Sequence, residues 1–252
     1  MQDSISELFL FGLIFSGRLL PVLFFAPPFS SFPIPNVVKI LISSLMGMML
    51  AFTTKSKLPS IEQDILYILS LLSNELLLGL FLSASLLITF SIYHLSGKIL
   101  DLVVGFGISS LLDNSTKNSI SVFGAILNSV AIFMFISFGG MEEIYKLLCS
   151  DFLFPVNRVG YEGISDFLAY SGTIFYVAFI VSFPTILVIS LVDVLMAIMS
   201  KSLPQMNVFF LSISIKPLVA IISVFSSLHY INAMNHRIFS SLFDFWGYVF
   251  NG

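Results

Sequence analysis

Long stretches without a charged residue alternate with short polar segments along this chain. The charge-free stretches are residues 19–38, 40–54, 76–97, 118–141, 167–192, 202–215 and 217–236. A helix needs about 20 mostly apolar residues to cross a bilayer, so several of these stretches are long enough to do so. The pattern predicts an all-α, polytopic membrane protein that forms a single domain over residues 1–252.

The first helix is predicted over residues 8–25, where a proline-rich segment ends it. Residues 26–35 contain four prolines. Proline removes a backbone donor and disfavours a helical conformation in the residue before it, so we expect an extended connector here. Asn36 is then placed to cap a helix that runs to about residue 54.

Two later tracts, residues 60–96 and 165–200, each read as one continuous helix of roughly 50 Å. The hydrocarbon core of a bilayer is only about 30 Å thick. Helix tilt, and a kink at Pro184 in the second tract, would absorb part of the excess. The alternative is that both tracts project out of the membrane and pack on other apolar subunits.

A polar segment, Lys201-Ser202-Leu203-Pro204-Gln205-Met206-Asn207, interrupts the apolar C-terminal third. It is either a helix break that lines a polar path, as in a transporter, or the turn of a long helical hairpin. The long apolar tracts on both sides favour a hairpin over residues 165–252, following N-terminal helices over 1–164. Pro204 would then stop the first helix, and Ser202, Gln205 and Asn207 would satisfy freed backbone groups or cap the second.

The composition supports the membrane assignment and argues against catalysis. The chain is 57% hydrophobic and 10% charged, with a mean hydropathy of +1.02, whereas soluble domains carry about 25% charged residues. A net charge of −3 gives no basis for nucleic-acid binding. The three histidines and the single cysteine show no metal-ligand spacing, and no catalytic motif occurs. We therefore expect no enzyme activity, no metal and no cofactor.

Ionisable residues at membrane depth are expensive and usually functional. Six are candidates for intramembrane charge or assembly roles: Arg18, Glu75, Asp101, Asp193, Lys201 and Lys216. Asp193 lies about two helical turns before Lys201, near the same helix face. These charges would either form a proton or ion relay, or pair between helices or subunits with the two lysines extending to the interface.

Residues 96–115 are apolar but too short and too rich in glycine to span a bilayer. Glycines allow tight bends and close backbone approach. Such a segment is either a re-entrant, pore-occluding element or a buried connector.

Several motifs occur in an order that resembles one protein family. They are Arg18…Pro21…Pro27-Pro28, Glu75-x3-Gly79, Gly97-x3-Asp101-x3-Gly105, Phe138-Gly139-Gly140, Phe154-Pro155-Val156, Pro204-Gln205-Met206-Asn207-Val208-Phe209 and Ile215-Lys216-Pro217. In this order they resemble the FliR/SpaR/YscT family of export-apparatus membrane proteins in bacterial type III secretion systems. The resemblance covers nearly the whole chain, and its most specific part is the segment that begins at Pro204.

The resemblance implies a non-enzymatic, multi-pass subunit of an export gate in the bacterial inner membrane. One copy would assemble with several copies of two small export-apparatus proteins of the P and Q type, and with the large export-gate membrane protein. Secreted proteins would pass through the centre, surrounding lipid would contact the outside, and no nucleic acid would be involved. A loop over residues 105–119 would plug the channel through Gly105, Phe106, Gly107, Ile108, Leu111 and Leu112.

Two questions about this resemblance stay open at the level of sequence. The motifs are closer to the virulence injectisome branch, and the flagellar branch is the alternative. Lys39 and Lys201 stand where the family commonly has arginine, and lysine keeps the charge but not the bidentate pairing. Outside the family, the remaining hypothesis is a small-solute or ion transporter that uses the intramembrane charges.

Overall fold

A computed structural model describes residues 2–53, 65–106, 121–149, 161–203 and 207–251, and within these ranges the chain is helical with no β-strand. The helices are α1 (Gln2–Phe25), α2 (Pro27–Ser30), α3 (Asn36–Thr53), α4 (Ile65–Val104), α5 (Val122–Ser137), α6 (Gly140–Cys149), α7 (Tyr161–Ser202) and α8 (Val208–Asn251). The prediction of an all-α protein is confirmed.

Five helical segments within the described ranges are long and apolar enough to cross a membrane. They are Leu8–Phe25, Asn36–Thr53, Ile65–Val104, Phe167–Ser202 and Phe210–Ser227, and the number rises to six if α5 and α6 together form one broken span. The protein is therefore a multi-pass membrane protein, as the charge-free stretches predict.

The connector between α1 and α3 is not extended throughout, which corrects the prediction for residues 26–35. Ala26 is buried and extended, with φ −67° and ψ 126°, and Pro27–Ser30 then form one helical turn. Proline suits this position because the first residues of a helix have no intrahelical partner for their N–H groups. The prolines thus separate α1 from α2 while starting the new turn.

Helix α4 ends eight residues later than the sequence predicts, at Val104 instead of residue 96. Gly97 lies inside the helix and packs against the backbone of Gly124 on α5. A tertiary contact of this kind outweighs the low intrinsic helix propensity of glycine. The apolar segment 96–115 therefore begins as helix, and this helix continues to Val104.

The described chain forms two compact units. The first unit contains residues 1–89, 139–169 and 242–252, and the second contains residues 90–138 and 170–241.

The first unit has a core where α1 packs against α3 and the start of α4. The buried residues are Leu8, Phe11, Ile14, Phe15 and Ala51, with Leu50, Ile68 and Leu71 at the edge. Gly47 makes this packing close, because a Cβ there would overlap the carbonyl of Gly12 and the backbone of Ser16. Small residues at helix crossings have the same role in membrane proteins generally.

The second unit has an aromatic core. The rings of Phe90, Phe135 and Phe239 lie 5.4–6.0 Å apart, and Tyr93 stacks on Phe239 at 6.5 Å. The Tyr93 hydroxyl donates a hydrogen bond of 2.8 Å to Oδ1 of Asn235. Segments of α4, α5 and α8 thereby share one core.

Candidate functional site

A buried ion pair joins α1 and α4 in the first unit. Arg18 donates from Nε to Glu75 Oε2 at 2.6 Å and from Nη2 to Oε1 at 3.0 Å. Only 1% of Arg18 and 4% of Glu75 are exposed. This bidentate arrangement is the strongest geometry available to an arginine and a carboxylate, and burial protects it from solvent screening.

Arg18 also binds the end of a third helix. Its Nη1 donates to the carbonyl of Leu147 at 3.1 Å. That carbonyl lies in the last turn of α6, where the helix dipole favours a cation. One guanidinium therefore connects α1, α4 and α6.

Gly79 explains how α1 comes so close to α4. It lies one turn after Glu75, on the same face of α4. A Cβ at Gly79 would overlap the carbonyl group of Arg18. The Glu75-x3-Gly79 spacing thus supplies both the acceptor for the arginine side chain and the room for its backbone.

Another ion pair joins the two helices of the C-terminal hairpin. Lys216 Nζ lies 2.6 Å from Asp193 Oδ1, and the two side chains are 17% and 48% exposed. Farther from the facing ends of α7 and α8, Ser223 Oγ donates to Thr185 Oγ1 at 3.4 Å. In each pair the two partners are similarly far from the facing ends of their helices, as two antiparallel neighbours require.

The partner of Asp193 differs from the one that the sequence spacing suggests. The spacing places Asp193 and Lys201 near one face of the same helix, but Lys201 is exposed in the last turn of α7. Asp193 instead pairs with Lys216 on α8. The cause is the hairpin itself, which brings α8 alongside α7.

The polar segment between α7 and α8 is partly described. Ser202 is the last residue of α7, its hydroxyl donates to the carbonyl of Ile198 at 3.2 Å, and the Leu203 N–H donates to Met199 at 2.8 Å. Asn207 is exposed and directly precedes α8. Pro204 and Gln205 lie outside the described residues.

The first end of the glycine-rich segment follows the end of α4 at Val104. Gly105 has φ +101°, a conformation that favours glycine, and its N–H donates to the Asp101 carbonyl at 3.1 Å. The ring of Phe106 stacks on that of Phe123 at 6.1 Å. Gly107, Ile108, Leu111 and Leu112 lie outside the described residues.

The second end of the segment is the start of α5. Ser121 caps this helix by accepting a hydrogen bond of 2.9 Å from the N–H of Gly124. The side chain of Asp101, at the other end of the segment, accepts from the N–H of Phe123 at 3.2 Å. Sequence reasoning missed Ser121, although a serine before an apolar run is a recognisable N-cap pattern.

Among the described residues, no group of three or more histidine, cysteine, aspartate or glutamate side chains is arranged to hold a metal ion.

Comparison with known proteins gives the family. Residues 8–242 match the family model described as bacterial export proteins, family 1. The chain belongs to this family. The predicted FliR/SpaR/YscT membership of the export protein is thereby confirmed.

Relatives of the export protein carry names from both branches considered above. It is 29% identical to "Surface presentation of antigens protein SpaR" of Shigella flexneri over 90% of this chain and 91% of the relative. It is 26% identical to "Flagellar biosynthetic protein FliR" of Bacillus subtilis over 95% and 94%. A third relative, "Secretion system apparatus protein SsaT" of Salmonella typhimurium, is 24% identical over 69% and 68%.

Proposed function

We propose that this export protein is a non-enzymatic subunit of the export gate in the inner membrane of a bacterial type III secretion system. In this role it helps to form and plug the protein-conducting channel. The observation that carries the proposal is the family match over residues 8–242, together with full-length similarity to SpaR and FliR. The multi-pass architecture is consistent with an inner-membrane location.

The pairing of the intramembrane charges supports a structural role. Arg18 and Glu75 bind each other in the first unit, and Asp193 and Lys216 bind each other in the second. Each of these charges has a partner within the chain that joins two helices, which is the arrangement expected of charges with an assembly role. This favours the gate over the alternative of a small-solute or ion transporter.

The outer surface of the hairpin supports assembly with other membrane proteins and lipid. Its exposed apolar side chains include Leu187, Leu191, Leu195, Phe210, Ile222 and Phe225. An apolar surface of this size is compatible only with lipid or with apolar protein. We propose that small partners of the P and Q type, and the large export-gate protein, cover part of it.

The assembly is tested by purifying the tagged chain in mild detergent from its native host. A large hetero-oligomer that contains two small partner membrane proteins is expected. A stable monomer alone would contradict the gate. The transporter alternative is tested by reconstituting the purified chain alone in liposomes. Solute-dependent flux or proton coupling would support a transporter in place of the gate, and absence of flux would count against it.

The branch is tested by deleting the gene in the source bacterium. We favour the injectisome branch, so loss of secreted virulence proteins with normal motility is expected. Loss of motility would assign the flagellar branch instead. A plasmid copy of the wild-type gene must restore the lost property.

The proposed plug is tested by removing residues 106–114 and measuring the entry of ions or small solutes into cells. The deletion is expected to make the membrane leaky while the complex still assembles. A control chain carries a scrambled sequence of equal length and composition at these positions. Normal impermeability of a correctly assembled deletion variant would assign the segment to packing alone.

A further inference from the structure

Asp101 occupies a position that is unfavourable within its own helix. It lies in the last turn of α4, where the exposed carbonyl groups carry partial negative charge. It is also buried, with 8% of its surface exposed. A carboxylate in this place needs a compensating partner, because burial without one is costly.

The partner is the start of α5. The N-terminus of a helix carries partial positive charge and has free N–H groups, so it attracts a carboxylate. Asp101 Oδ1 accepts from the N–H of Phe123, and Ser121 accepts from that of Gly124. Two N–H groups in the first turn of α5 are thus hydrogen-bonded: that of Gly124 to Ser121, the N-cap of α5, and that of Phe123 to Asp101 on α4.

Gly97 provides the space for this contact. It lies one turn before Asp101, on the same face of α4. A Cβ at Gly97 would overlap the backbone of Phe123 and Gly124. Any side chain at position 97 would therefore push the start of α5 away from the Asp101 carboxylate.

We propose that Asp101 is a positioning residue that fastens the two ends of the 107–120 segment to each other, with Gly97 setting the distance. The contact between Phe106 and Phe123 lies at the same place and joins the same two ends. The inference rests on the proposed function of residues 105–119 as the plug, and it assigns the plug's fixed base to described residues on α4 and α5.

The test uses the assembled complex and reports on the segment directly. Cys149 is replaced by serine, a single reporter is introduced by Ser115→Cys, and the rate of maleimide labelling is measured. Asp101→Ala is expected to raise the labelling rate roughly tenfold, because the two ends of the segment lose the charge-assisted hydrogen bond that holds them together. Asp101→Asn keeps an acceptor oxygen for Phe123 but loses the charge, so its labelling rate is expected to lie between those of the parent and Asp101→Ala.

Gly97→Ala tests the same contact without touching the carboxylate. It is expected to change labelling as Asp101→Ala does, and the double variant is expected to be no worse than either single variant, because both break one contact. Asp244→Ala serves as the control, since it removes an exposed carboxylate on α8. If Asp101→Ala does not assemble, Gly97→Ala and Asp101→Asn decide the question.

Parent-like labelling in both Asp101→Ala and Gly97→Ala would overturn the positioning role. The same result for Asp101→Asn as for Asp101→Ala would overturn the assigned hydrogen bond. The plug proposal is tested separately: it fails if cells that carry the 106–114 deletion keep an impermeable membrane. The labelling experiment does not depend on that leak, so the two proposals can fail independently.

Discussion

At the scale of single residues, Arg18 is used in a way that lysine could not reproduce. Nitrogen atoms Nε and Nη2 face one carboxylate, while Nη1 faces a backbone carbonyl from another helix. Only a planar guanidinium presents donors in these directions at once. A buried pair of this kind specifies how helices fit together more than it adds stability, because desolvation offsets much of its attraction.

Replacing one partner of this pair is therefore expected to lower the stability of the protein more than replacing both. Arg18→Met leaves Glu75 buried without a counter-charge and is expected to destabilise the protein by about 3–5 kcal/mol. Adding Glu75→Leu is expected to recover much of the loss. Thermal unfolding of the purified complex in detergent measures both effects. A double variant as unstable as the single variant would mean that the pair does not act as a unit.

Glycine 79 offers a second residue-scale prediction with a matched control. Gly79→Ala places a Cβ against the carbonyl of Arg18, whereas a Cβ at Gly172 on α7 would meet nothing within 4 Å. We expect Gly79→Ala to lower the unfolding temperature. Gly172→Ala is expected to leave it unchanged or raise it slightly, because alanine favours helix by about 1 kcal/mol. Equal effects at both positions would contradict the close approach of α1 to α4.

At the scale of elements, the apolar pattern predicts much of the architecture. Helix α3 begins at Asn36, one residue before the start expected if Asn36 were its cap, and it ends within a residue of the predicted end. Helices α7 and α8 flank the polar segment. Long, charge-free stretches determine helices strongly because an apolar environment requires every backbone group to be bonded internally. The extension of α4 to Val104 was not predicted, because it depends on a contact between Gly97 and a helix that follows later.

The sequence predicts which residues form the candidate site better than it predicts which of them contact each other. Intramembrane charges stand out in the sequence because they are rare at that depth. Their partners do not, since Arg18 and Glu75 are 57 positions apart and Leu147 contributes only its backbone. Asp193 shows the same limit: spacing along one helix points to Lys201, while the hairpin supplies Lys216.

The hairpin pair gives a prediction at the same scale. Asp193→Lys places two cations together and is expected to lower the thermal stability of the complex. Exchanging the charges with Asp193→Lys and Lys216→Asp is expected to restore it. The combination of Asp193→Lys with Lys201→Asp is the control and is expected to give no rescue. Rescue by the Lys201 variant instead would contradict the observed pairing.

At the scale of the whole molecule, the length of the helices is the dominant fact. Helices α4, α7 and α8 contain 40, 42 and 44 residues. Their lengths of about 60–66 Å are twice the thickness of a bilayer core. Even at a tilt of about 40°, a helix crosses that core in roughly 40 Å. The remainder is what we expect partner subunits to cover.

These lengths have a consequence for the life of the protein in the cell. A newly synthesised chain would hold apolar helix outside the bilayer until its partners arrive, and quality-control proteases recognise such surfaces. Pulse-chase labelling is expected to show a half-life several times shorter when the genes of the small partners are deleted, and equal half-lives would contradict this. In the proposed gate, the supply of partners would then set the number of complexes, because unassembled copies would be degraded.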